Sequence, residues 1–160
     1  MTAMPDRGYL VDHPIAGRDH WLAHPFELIL AAWSIVFGTL LAISAFVPGF
    51  TPSPSLENLH PSLTLPIGLL YVAGGIGTHW SYWCTSIDLG TAWTVERLSL
   101  LLLVASWTAY ALAVIAASPD RIVQWGNGLA IASACFWRWV TIGRRAKSLR
   151  SIQREMREGA

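Results

Sequence analysis

Charge is what this chain has least of. Asp, Glu, Lys and Arg make up 13% of its 160 residues, hydrophobic residues make up 53%, and the mean hydropathy is +0.43. A soluble domain carries about 25% charge, because a surface facing water has to be solvated. That deficit argues against an ordinary soluble domain and for a chain that faces lipid. Cysteine is also scarce: Cys84 and Cys135 stand in apolar sequence with no CxxC. They read as reduced space-fillers rather than a disulfide framework. Near the start there is no charged n-region followed by an apolar core, so residues 1–25 do not read as a signal peptide. They are polar, broken by Pro5, Gly8, Pro14, Gly17 and Pro25, and are expected to form an irregular cytoplasmic arm.

What the chain does have is apolar runs of bilayer length. Residues 28–47 and 98–117 are each 20 residues without a charge. At 1.5 Å per residue each spans about 30 Å, the thickness of a hydrocarbon core. With two further runs the expectation is an all-α integral membrane bundle of four transmembrane helices. The spans fall at about 26–47, 65–84, 98–117 and 121–139, within a domain covering 26–139. Pro25 and Pro66 suit first helical turns, Pro48-Gly49 ends the first span, and the Pro/Ser-rich stretch 48–63 is a loop. Residues 85–97 read as a short interfacial connection anchored by Trp93, and Ser118-Pro119-Asp120 as a tight turn.

Small residues mark where helices would approach closely. Gly68, Ala73, Gly74, Gly75 and Gly77 provide such a face on the second span, and Gly126, Ala130 and Ala134 on the fourth. Of the nine tryptophans, Trp21, Trp80, Trp83, Trp93, Trp137 and Trp139 map to one interface as an anchoring belt. Trp125 maps to the other half, and Trp33 and Trp107 read as packed between helices.

Residues 138–160 hold Arg138, Arg144, Arg145, Lys147, Arg150, Arg154 and Arg157 against Glu155 and Glu158. This basic segment, 140–160 as a unit, is expected to continue the fourth helix as a cytoplasmic amphipathic tail. Ile142, Ala146, Leu149, Ile152 and Met156 share one face. A helix on an anionic inner leaflet and a self-association seam both fit that pattern. Arg144, Arg145, Lys147, Arg150, Arg154 and Arg157 are the residues expected to meet lipid. No zinc or aromatic nucleic-acid motif accompanies them, so no nucleic acid is expected. With both termini inside the cytoplasmic membrane, ten Lys and Arg lie inside and only Arg121 outside, as the positive-inside rule requires.

That topology gathers Glu27, His79, Asp88, Glu96, Arg97 and Arg138 at the cytoplasmic end. Ionisable groups near a membrane are functional candidates, and a purely structural ion-pair layer fits the same residues. Glu27 or Glu96 with Arg138 are the expected pairs. No catalytic set is present. His20 and His24 are spaced i, i+4, but Pro25 follows and the segment lacks helical character, so no metal is expected. His79 is the only histidine inside a span, which rules out a bis-histidine haem, and no cofactor is expected. Both span-flanking acids, Glu27 and Glu96, sit at helix starts in this reading, which argues against proton-coupled transport.

The pattern resembles small four-span membrane proteins encoded by phages of actinobacteria. The resemblance rests on His24-Pro25-Phe26-Glu27 leading into the first span and on the loop Ser53-Pro54-Ser55-Leu56-Glu57. It rests further on Val95-Glu96-Arg97-Leu98 entering a leucine run that ends near Tyr110, and on Cys135-Phe136-Trp137-Arg138 before a basic tail. It covers about residues 24–150. It implies a holin-like lysis protein that assembles as a homo-oligomer and permeabilises the cytoplasmic membrane. It also admits a prophage exclusion or sensing protein acting through a soluble phage or host partner. A structural membrane subunit is the remaining alternative.

Overall fold

The computed structural model describes residues 25–47, 49–56, 60–84 and 89–158. Among these every regular element is helical: α1 (Pro25–Ser44), a 3-10 turn (Pro54–Leu56), α2 (Pro61–Cys84), α3 (Leu89–Ala117) and α4 (Ile122–Glu158). Packing follows chain order: α1 lies on α2, α2 on α3 and α3 on α4, with the 3-10 turn against α3. Three helical segments are long and apolar enough to cross a membrane, Pro25–Ser44, Pro61–Tyr82 and Gly90–Ala117. They are consistent with a multi-pass membrane protein.

The distribution of side-chain size fits helices that face lipid. On α1 the buried residues are Ala31, Ser34, Gly38 and Leu41, three of them small. Ile29, Trp33, Val36, Leu40 and Ile43 face outward. Water would penalise such a face, whereas lipid tails are as apolar as the side chains, so small residues go to the contacts and large ones outside. The buried serine and threonine hydroxyls are satisfied within their own helices. Ser34 Oγ donates to Leu30 O (2.8 Å), Thr78 Oγ1 to Gly74 O (2.9 Å) and Ser99 Oγ to Val95 O (2.8 Å). Serine and threonine therefore serve as small packing residues with no orphaned hydrogen bond.

The helix boundaries differ from the sequence expectation in three places. The segment α2 begins at Pro61, because His60 caps it: the Ser62 N–H donates to His60 Nδ1 (3.3 Å) and the Leu63 N–H to His60 O (2.9 Å). Pro61 takes the first-turn position, leaving Pro66 inside the helix. At the other end of the loop, α1 stops at Ser44, three residues short of Val47.

The third difference is the largest. Residues Leu89–Arg97 are not a connection but the first turns of α3. Their Thr and Gly content reads as a loop, yet Ala92, Glu96, Ser99, Leu100, Leu103, Trp107, Tyr110 and Val114 form one buried seam at helical spacing. Glu96 is thus in the third turn, on the face packed between neighbours. The turn after α3 matches expectation: Ser118 N–H donates to Val114 O (2.7 Å) and Trp125 Nε1 to Pro119 O (3.3 Å).

At mid-bundle an aromatic cluster joins three helices. Phe37 of α1 meets Tyr71 of α2 edge-on at 5.5 Å, and Tyr71 meets Trp107 of α3 edge-on at 4.9 Å. Such perpendicular pairs contribute about 0.5–1.5 kcal/mol each beyond burial. Trp107 packs between helices as expected. Trp33 does not: it stacks beside Phe37 with its ring directed outward.

Gly49, in the loop after α1, has φ +79, a left-handed conformation costly for residues with a Cβ. Nothing lies within 4 Å of a Cβ built there. Gly49→Ala is therefore expected to lower stability by about 1 kcal/mol through backbone strain alone, measured by reversible unfolding in mixed micelles.

Candidate functional site

Because successive helices alternate in direction, the start of α1, the start of α3 and the later part of α4 meet at one end of the bundle. Glu27 lies in the first turn of α1, Glu96 in the third turn of α3 and Arg138 sixteen residues into α4. The Arg138 side chain joins them. Its Nε and Nη2 both donate to Glu96 Oε1, at 3.2 and 3.1 Å. Its Nε also stands 3.7 Å from Glu27 Oε1, beyond hydrogen-bond length but within ion-pair range.

The two halves of this triad are unequal. Side-chain exposure is 7% at Glu96, 17% at Arg138 and 22% at Glu27. In the Arg138–Glu96 pair two guanidinium N–H groups converge on one carboxylate oxygen, and the pair is largely desolvated, so its charge-assisted hydrogen bonds are screened little by water. The Glu27 contact is longer and wetter, and is worth under about 1 kcal/mol. Arg138 thus belongs first to α3 and only loosely to α1.

A cavity of about 310 Å³ opens beside the triad. It lies between α1 and α4, the two ends of the packing series. The α1 wall is Phe26, Glu27 and Leu30; the α4 wall is Ala134, Cys135, Trp137 and Arg138. Leu100 and Leu103 of α3 close the back, and the hydroxyl-bearing Thr78 and Thr141 complete the lining. Cys135 is buried with a free thiol. The site is apolar except at the end where the triad sits.

Arg97, next in sequence to Glu96, takes another direction. Its guanidinium lies over the Trp139 ring, 4.7 Å from the centroid, and a Cβ built on Gly143 would be 3.5 Å from its Cζ. Stacking on an aromatic face is a common resting place for a guanidinium. Its Nε is buried and makes no hydrogen bond among the described residues. His79 is half-buried on α2 and does not line the cavity. Asp88, with His20 and His24, lies outside the described residues.

The small-residue faces divide. On α2, Gly68 meets Gly38 and Ala42 of α1, while Gly74 and Gly77 meet Leu103 and Ser99 of α3. Ala73 is exposed. On α4, Ala130 and Ala134 are exposed and a Cβ on Gly126 would meet nothing within 4 Å. Within one chain α4 packs instead through Gly128, Ala132, Cys135 and Ile142. Ile142, read from sequence as the start of the tail seam, is 3% exposed and belongs to the bundle core. In the basic stretch Arg144 and Lys147 are exposed, and Arg145, Arg150, Arg154 and Arg157 lie on the continuing helix.

Sequence reading missed Gly38, whose built Cβ would lie 2.7 Å from Gly68 O. The signal was there: Ser34, Gly38 and Ala42 are spaced four apart. It also missed Phe26 and Trp137 as cavity walls, since two exposed aromatics on the first and last helices carry no pattern that pairs them. No family model, curated protein or solved structure matches the chain.

Proposed function

We propose that this chain is a holin-like protein of the cytoplasmic membrane, crossing it four times with both termini inside, and that copies self-associate to permeabilise the bilayer. The observation that carries the reading is the unoccupied small-residue face of α4. Gly126, Ala130 and Ala134 recur every four residues, and the chain's own helices leave that face open. In lipid such faces drive close helix association.

A fourth span fits α4, whose first sixteen residues, from Ile122 to Trp137, carry no charge. At 37 residues the helix is about 55 Å long, against about 30 Å of hydrocarbon. An unbroken helix that crosses upright therefore projects into the cytoplasm and holds Arg144 and Lys147 at the anionic leaflet, where each basic residue contributes about 1 kcal/mol.

Expression in a bacterial host, followed with a voltage-sensitive dye, tests the proposal. Sudden depolarisation is expected, with lysis only when an endolysin lacking a signal sequence is co-expressed. Gly126→Leu with Ala130→Leu is expected to delay depolarisation and reduce cross-linked oligomers. The fold should be unchanged, because Gly126 has open space around it. Unchanged membrane potential and normal growth at confirmed membrane expression would sink the reading. The ion-paired layer would then favour a second one, a stable bundle acting as an exclusion or sensing protein through a soluble partner.

A further inference from the structure

We infer that Arg97 of α3, with Gly143 and Lys147 of α4, binds a phosphate group where the bundle meets the inner membrane surface. The site rests on the proposed fourth span, in which α4 leaves the bilayer near Trp139 and that ring sits at headgroup level. The Arg97 guanidinium lies over the Trp139 ring, 4.7 Å from its centroid. Stacking uses the face of the guanidinium and leaves its N–H groups, which point outward in the plane, for an acceptor. No acceptor meets Nε, which is buried without a hydrogen bond among the described residues. A buried charged donor in that state is short of an anion.

The two helices that form the site do not supply that anion. The single acid of α3 is Glu96, which accepts both Arg138 hydrogen bonds, and α4 has no acid before Glu155. Gly143 stands beside the guanidinium: a Cβ built there would lie 3.5 Å from Cζ and from Nη2 of Arg97. The bare backbone leaves room next to a donor that a larger side chain would cover. Lys147 is exposed one turn further along the helix, about 6 Å away along its axis. The positions a turn away from Lys147 are Gly143, Arg144, Arg150 and Ser151, none of them acidic. A guanidinium fork and an ammonium group so placed fit a phosphate oxyanion. Basic pockets between spans on the cytoplasmic side take such headgroups. A cation would be repelled here, and a neutral ligand would leave both charges unpaired.

A phosphate group has two sources, a lipid headgroup or free phosphate, and the test separates them. The full-length protein is held in dodecyl maltoside micelles, which contain no phosphate, and titrated with phosphatidylglycerol or with inorganic phosphate. Native mass spectrometry counts retained lipid, and calorimetry follows inorganic phosphate. Saturable binding is expected, undisturbed by diacylglycerol, which has the lipid tails without the phosphate. It should weaken about tenfold or more in Arg97→Gln, the value of one charge-assisted hydrogen bond, and less in Arg97→Lys, which keeps the charge and loses the fork. Gly143→Leu should block the site without altering charge, and Lys147→Gln should weaken binding severalfold at an exposed position. Arg121→Gln removes the same charge before the other end of α4 and should bind like wild type. Lipid retention that resists inorganic phosphate marks a headgroup site; inorganic phosphate that binds and displaces the lipid marks a free-phosphate site. Binding of neither would overturn the inference. So would equal binding by wild type, Gly143→Leu and Lys147→Gln with all three unfolding alike, displacement by diacylglycerol, or an equal loss in Arg121→Gln. Membrane potential is not a readout here, so failure of this site is distinct from failure of the holin-like reading.

Discussion

Arg138→Leu is expected to destabilise the bundle by about 3–5 kcal/mol, the cost of removing one partner from a buried ion pair. The carboxylate left behind is the reason. Glu96 is 5% exposed as a residue and receives two hydrogen bonds from Arg138. Without them a charge stays in an apolar interior, or the group takes up a proton, and either outcome costs free energy. Arg138→Lys keeps the charge but replaces a planar fork with a point donor. It should lose about 1.5–3 kcal/mol, one charge-assisted hydrogen bond. Glu27→Gln should cost under about 1 kcal/mol, because that contact is long and partly solvated. The double variant Glu96→Leu with Arg138→Leu should recover most of the loss, since it removes the buried carboxylate together with the guanidinium and leaves only the partly solvated Glu27. Equilibrium unfolding in mixed micelles, read by tryptophan fluorescence, ranks the four. If Arg138→Leu and Arg138→Lys both unfold like wild type, the Arg138–Glu96 pair is not a structural tie between α3 and α4.

This ranking shows where sequence reading succeeds and where it stops. Glu27, Glu96 and Arg138 are legible as a group, because alternating spans return their segments to one end and each flanks an apolar run. Their inequality is not legible. Glu96 reads as an interfacial residue only while residues 85–97 read as a connection; its burial follows from Leu89–Arg97 being helix. Local composition hides that extension, because Gly90, Thr91 and Thr94 favour turns in water. A bilayer-facing helix tolerates them once their hydroxyls return to the backbone, as Thr94 Oγ1 does to Gly90 O at 2.9 Å. The existence of the helices follows from uncharged length alone, so that part survives any local ambiguity. The choice between the two small-residue faces does not. Sequence marks Gly68 and Gly126 alike, and only the packing order tells which one meets a neighbour within the chain.

That distinction makes a single substitution change sign along the chain. Gly38→Ala is expected to destabilise by about 3 kcal/mol, the upper part of the overpacking range. Gly126→Ala should be neutral or stabilising by up to about 1 kcal/mol, the helix-propensity gain of alanine over glycine. At Gly38 the new Cβ would lie 2.5 Å from Tyr71 Cβ and 2.7 Å from Gly68 O. The neighbours are a Cβ and backbone atoms, with no flexible side-chain end to move aside. A Cβ on Gly68 would in turn lie 2.7 Å from Gly38 O and from Ala42 N, so at either position α1 and α2 would have to separate along their crossing. Separation is costly because, among the described residues, α2 is the helix on which α1 packs extensively, and it would carry Phe37 off the edge of Tyr71. Gly128 falls between the two, with its Cβ 3.2 Å from Ala111 Cβ, where a shift of a few tenths of an ångström suffices. The predicted order of stability is therefore Gly126→Ala, then Gly128→Ala, then Gly38→Ala, measured as unfolding midpoints in one micelle series. A Gly38→Ala variant as stable as wild type would mean that α1 and α2 do not cross at Gly38 and Gly68.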